Sequence, residues 1–106
     1  MISKQTLEKV LGFRAERNWE KYNTPKNIAV SVAIEAAELL EHFQWTENSS
    51  PDEKEKQEIA YEIADVAIYL SYLCHDLGIN LDKTVAEKVE INKKKYPVEQ
   101  ADQVVQ

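Results

Sequence analysis

The residues in this chain best suited to chemistry are two acidic pairs, Glu35-Ala-Ala-Glu38 and Glu62-Ile-Ala-Asp65, both set inside strongly apolar stretches. In an α-helix a spacing of three residues puts both members of a pair on one face, so two such helices packed together aim four carboxylates at one point. Four carboxylates at close range cannot all remain ionised without a cation. An all-oxygen donor set favours Mg²⁺, with Mn²⁺ or Ca²⁺ as alternatives, over zinc or copper, and a magnesium site keeps positions open for water and phosphate oxygens. A single ExxE is most simply a solvated helical face. Here, however, Val32 to Leu39 and Ile63 to Ala67 leave neither pair on an obviously polar side. The di-iron carboxylate bundles form a rival class, marked by Glu followed three residues later by His. Here His42 lies four residues after Glu38 and His75 ten after Asp65, so that signature is absent.

Other side chains carry two readings each. Trp19 and Trp45 are either core packing or stacking platforms for a planar ligand. Tyr69 lies one helical turn beyond Asp65 and either joins the core or turns its hydroxyl to a ligand at the acidic face. Asn92 falls on the same stripe as Leu81, Val85 and Val89, where an amide needs partners from the protein or from a ligand. Lys88 and Lys93 to Lys95 form a solvated face or a phosphate contact. Arg14 and Arg17 divide between phosphate contact and a salt bridge to Glu16 or Glu20. His42 and His75 read as surface or interface residues.

Helices must position these groups. Two glycines and three prolines in 106 residues, placed at helix boundaries, predict an all-α chain. The first helix is expected from Lys4 to Tyr22. The second is expected from Pro25 to Gln44, with Thr24 as its N-cap. Ser50-Pro51-Asp52-Glu53 reads as a capping box opening a third helix that ends at Gly78. A fourth helix, capped by Asn80, reaches Lys95 before Pro97. Helices two and three are apolar around much of their circumference, so a second copy of the chain is expected to cover them.

Composition bounds the function. Nineteen acidic against thirteen basic residues, a net charge of -6, argue against a nucleic-acid polymer or an anionic membrane as partner. No apolar run approaches the ~20 residues of a membrane-spanning helix. A lone Cys74 and the lack of a signal-like opening segment point to the cytoplasm.

The acidic motifs, with four strings in order, resemble the all-α nucleoside triphosphate pyrophosphohydrolases of the MazG-like superfamily, in particular the dCTP pyrophosphatase branch. The strings are Phe13-Arg14-Ala15-Glu16-Arg17-Asn18-Trp19, Glu38-Leu39-Leu40-Glu41-His42-Phe43-Gln44-Trp45, Asp65-Val66-Ala67-Ile68-Tyr69-Leu70 and Lys88 through Pro97. The resemblance spans about Leu7 to Pro97. It implies a four-helix, MazG-like bundle assembled as a dimer or tetramer, with residues 1–97 as the domain and 98–106 as a mobile tail. It also implies Mg²⁺-dependent cleavage of a nucleoside triphosphate between the α- and β-phosphates, releasing the monophosphate and pyrophosphate in nucleotide pool cleaning. Glu35, Glu38, Glu62 and Asp65 would hold the metal, one of them serving as base toward water. Trp19, Trp45, Tyr69 and Asn92 would contact the nucleoside, and Lys88 and Lys95 the phosphates. Val10, Ile34 and Ala37 depart from members of the branch that carry a histidine and glycines at those places, which leaves the preferred base open. The competing class is a non-catalytic helical oligomer or nucleotide-binding regulator that retained the acidic sites.

Overall fold

The computed structural model describes residues 2–45 and 51–99, and every regular element among them is helical. Helix α1 runs Lys4–Glu16, a single 3₁₀ turn follows at Trp19–Lys21, then come α2 at Pro25–Glu41, α3 at Glu53–Leu77 and α4 at Leu81–Lys95. The all-α reading of the sequence holds, and the helix caps account for most of the boundaries. Ser3, Thr24, Asp52 and Asn80 each accept a hydrogen bond from the backbone N–H three residues on, a contact that stabilises a helix by about 1 kcal/mol. Gly78 closes α3 in the left-handed conformation, at φ 67°, which a glycine adopts without steric cost.

Three boundaries differ from expectation. Helix α1 stops at Glu16 rather than Tyr22 because Asn18 takes φ 59°, a left-handed conformation that asparagine tolerates and a helix cannot accommodate. Gly12, by contrast, passes through α1 without breaking it. Helix α2 ends at Glu41, with Gln44 in the turns that follow. The cap of α3 is Asp52, whose Oδ1 accepts from the Glu55 N–H at 2.8 Å, and Pro51 therefore lies outside the helix. Ser50 and the tail beyond Glu99 lie outside the described residues.

Helices α2 and α3 pack along one another and form the framework. On α2, Ile28, Val32, Glu35, Leu39 and His42 recur at alternating spacings of four and three, and all are buried or half-buried. On α3, Ile59, Glu62, Val66, Tyr69 and Leu73 do the same with the steps reversed. These are the spacings of a helix-packing seam, and Glu35 and Glu62 occupy seam positions within it.

Helix α1 is fastened to the second half of α3 by polar contacts. The buried Arg14 guanidinium makes a two-pronged bond to Asp76 at 2.8 and 2.9 Å and lies 4.5 Å from the centre of the Tyr72 ring. The Tyr72 hydroxyl donates to the Val10 carbonyl. The Arg14 guanidinium holds the Asp76 carboxyl below the usual range.

Helix α4 is different, since it has no comparable seam with any other element of its own chain. Val85 and Val89, expected on a covered stripe, are about half exposed. The outer faces of α2 and α3 are similarly bare at Val30, Ile34 and Ile63. The radius of gyration is 16.8 Å, against about 13 Å for a compact chain of this length.

Candidate active site

The α2–α3 seam brings the acidic residues together. One carboxylate oxygen from each of Glu35, Glu62 and Asp65 lies within 4.8 Å of the other two, all on half-buried side chains. Two magnesium–oxygen bonds span about 4.2 Å at most, so small side-chain rotations suffice to close this cluster on one ion. Glu38 stands one turn from Glu35 and shares a hydrogen bond with its carboxyl group. Burial, that hydrogen bond and the charges of Glu38, Asp65 and Glu62 push the Glu35 carboxyl up to about 7.

Two further atoms test whether a cation fits. Glu35 Oε2 and Glu62 Oε2 are buried and make no hydrogen bond. Buried oxygens without donors are costly, and a hard cation satisfies both while offsetting the burial and the neighbouring charges that raise the Glu35 carboxyl. The clustered oxygens of Glu35, Glu62 and Asp65, with the Glu38 carboxyl one turn away, offer neither sulfur nor nitrogen, as Mg²⁺ and Mn²⁺ prefer.

Beside the cluster lies a cavity of about 350 Å³ lined by Lys9, Val10, Phe13, Trp19, Asn23, Asp65, Ile68, Tyr69 and Tyr72. Its walls come from α1, the 3₁₀ turn and α3. The left-handed Asn18 that ends α1 folds Trp19 back against Phe13, with ring centres 5.4 Å apart in an edge-to-face arrangement. Tyr69 meets Tyr72 edge to face at 6.0 Å. Aromatic faces with a few polar groups suit a planar heterocycle. Asp65 belongs both to this cavity and to the acidic cluster.

The sequence-derived residues therefore divide. Glu35, Glu38, Glu62, Asp65, Trp19 and Tyr69 converge on one region. Trp45 is 86% exposed and does not line the cavity. Lys88 and Lys95 are exposed and Asn92 half-buried on α4, away from the cavity walls. The Lys95 ammonium lies 5.3 Å from the centre of the Tyr96 ring, and Lys93 pairs with Glu90 at 3.0 Å. Arg14 is committed to Asp76, rather than to Glu16 or Glu20, and Arg17 pairs with Glu16 while covering the Phe13 ring at 3.8 Å.

Phe13 and Asn23 are cavity residues that the sequence reading did not single out for ligand contact. Phe13 sits one helical turn from Arg17 and six residues before Trp19, a spacing that signals nothing until the turn at Asn18 is known. The Asn23 backbone N–H donates to the Trp19 and Glu20 carbonyls at 3.1 and 3.2 Å, which fixes the end of the turn at the cavity wall.

The MazG-like family model matches residues 30–106, which covers both acidic motifs. This chain belongs to the MazG-like family. Its relatives include dCTP pyrophosphatase 1 of Rattus norvegicus, 35% identical over 91 residues, covering 81% of this chain and 54% of the relative. The Homo sapiens protein of the same name is 34% identical over 90 residues, covering 80% of this chain and 53% of the relative. The chain thus spans little more than half the length of these curated relatives. Among solved structures, a pyrophosphatase from Archaeoglobus fulgidus superimposes with a TM-score of 0.79 at 50% identity, covering 89% of this chain and 91% of the other. In this MazG-like chain the acidic cluster and the aromatic cavity are joined through a single residue of α3.

Proposed function

We propose that this MazG-like chain hydrolyses nucleoside triphosphates between the α- and β-phosphates, giving the monophosphate and pyrophosphate. The observation that carries this reading is the double membership of Asp65, which makes a base cavity and a metal-binding cluster one continuous site. A nucleobase held against Trp19 and Tyr69 extends its phosphate chain from the cavity toward Glu35 and Glu62. Carboxylates and phosphates repel, so this direction is productive only with a cation between them. Glu35, Glu38, Glu62 and Asp65 hold Mg²⁺, or Mn²⁺ in its place. When bound, the ion neutralises the triphosphate and activates water toward phosphorus. Glu38, bonded to Glu35, is the proposed base toward that water. Stacking on Trp19 fixes the base at about 1–3 kcal/mol.

A homo-oligomer belongs to the same reading. The apolar side chains of Val30, Ile34, Ile63, Val85 and Val89, each about half exposed in the single chain, support it, since a second copy would cover them. Covering α4 and the bare face of α2 in this way is the route by which Lys88, Asn92, Lys95 and Trp45 come to contact a nucleotide. The substrates proposed are dCTP and modified deoxynucleotides, in a cytoplasmic pool-cleaning role.

The test is a pyrophosphate-release screen over canonical and modified nucleotides, with Mg²⁺ and with EDTA. Mg²⁺-dependent pyrophosphate release from at least one deoxynucleotide is expected. Nucleotide binding without pyrophosphate from any of them supports a non-catalytic regulator instead.

A further inference from the structure

A polar residue beside the acidic cluster that the proposed chemistry leaves unused is His42. It is the first residue beyond α2 and the next seam position after Leu39, one turn past Glu38. The seam therefore turns it toward α3 rather than to solvent. Its Nε2 lies 3.7 Å from Glu62 Oε1, and both side chains are 23% exposed. The sequence reading assigned this histidine to the surface or an interface. The structure puts it against a candidate metal ligand.

The two oxygens of Glu62 have different surroundings. Oε1 faces the imidazole, whereas Oε2 is buried without a hydrogen-bond donor. A carboxylate so divided has one oxygen to be held by the protein and one left for an ion. Ligating carboxylates are commonly fixed by such an outer hydrogen bond, which sets their orientation and raises metal affinity. The separation of 3.7 Å must shorten by less than 1 Å to reach the usual N–H···O range. Direct ligation by His42 is disfavoured, because the group of atoms close enough to share an ion comprises Glu35, Glu62 and Asp65 without it.

We infer that His42 is a positioning residue for the metal centre: its Nε2–H donates to Glu62 Oε1 and holds Oε2 toward the ion. This rests on the reading of the acidic cluster as a metal site. The helix end adds to it, since the carbonyl-rich C-terminus of α2 favours an imidazole N–H donor at that place.

The experiment measures Mn²⁺ binding to the whole protein without nucleotide, from the electron paramagnetic resonance signal of free Mn²⁺. His42→Phe keeps a ring in the seam and removes the donor; His42→Gln removes the ring and keeps a donor. The Phe variant is expected to bind Mn²⁺ about 10-fold or more weakly, within the range that outer-shell partners command, and the Gln variant to recover most of that loss. Phe and wild-type proteins of equal affinity, or a Gln variant as weak as the Phe variant, would overturn the role of His42. Glu62→Gln separates this from the parent reading. A wild-type protein that binds Mn²⁺ no better than Glu62→Gln overturns the metal site itself. Wild-type binding that is strong, lost in Glu62→Gln and unchanged in His42→Phe overturns the positioning role alone.

Discussion

Helices α3 and α4 are neighbours in sequence, joined through Gly78 and Asn80, yet they stand in opposite physical situations. α3 is held along its length, by the α2 seam from Ile59 to Leu73 and, in its second half, by Arg14 and the Tyr72 hydroxyl as well. α4 has equally sound caps and no seam with its own chain. The difference shows that local signals suffice to make a helix here, whereas only packing decides whether its side chains can serve a site. The carboxylates proposed to hold the metal lie on the packed pair. The lysines proposed to hold phosphates lie on the unpacked helix, and only the proposed second copy would bring them to a nucleotide.

That contrast can be broken most sharply on the packed side. Glu38→Ala and Glu62→Ala are each expected to lower pyrophosphate release on the order of 10³-fold, the several kcal/mol that a metal centre supplies. Circular dichroism of both variants should match wild type, and near-native turnover in either would count against the site. On the unpacked side, Val85→Glu with Val89→Glu adds charge to a face that is half exposed in the single chain. A monomeric protein is expected in sedimentation velocity, with activity down about 10-fold or more while α-helix content persists. An unchanged oligomer would show that α4 is not at the interface.

Smaller effects sharpen the comparison. Asp76→Asn removes the charge that pairs with the buried Arg14, and is expected to cost about 2–3 kcal/mol in urea unfolding. The same pair sets an acid limit. Because the Asp76 carboxyl is lowered in the folded protein, its stabilisation is present above the ordinary carboxylate range and is lost as pH falls through the lowered value. Glu35 acts in the opposite direction. Its carboxyl is raised from 4.5 to about 7, so the metal-free protein loses stability as pH rises across that interval. Melting in EDTA should therefore fall from pH 4.5 to 7 in wild type and vary less in Glu35→Gln. Added Mn²⁺ should displace the proton and restore stability at the upper end.

Much of this was legible in the sequence because it is local. The four helices, the Thr24 and Asn80 caps, the Gly78 stop and the shared face of each acidic pair follow from spacing and capping chemistry. The Asn18 turn was not legible, since asparagine in a helical pattern is common and nothing in the neighbouring residues marks the one that turns left-handed. Arg14–Asp76 joins residues 62 apart in sequence, and nothing in either neighbourhood marks the other. His42 was passed over for a similar reason. Its spacing from Glu38 excluded an iron motif, but its approach to Glu62 depends on the register between two helices. The stripe of Leu81, Val85, Val89 and Asn92 shares one face of α4, but its covered setting is not met in the single chain, which leaves Val85 and Val89 about half exposed.

The central claim is that the acidic cluster and the aromatic cavity act as one triphosphate site. Phosphorus nuclear magnetic resonance of products from dCTP, with wild-type protein in Mg²⁺ or EDTA and with Asp65→Ala in Mg²⁺, tests it most directly. The account predicts monophosphate and pyrophosphate in equal amounts from wild type with Mg²⁺, and neither in the other two samples. Diphosphate with orthophosphate, or pyrophosphate formed equally well in EDTA or by Asp65→Ala, would contradict it.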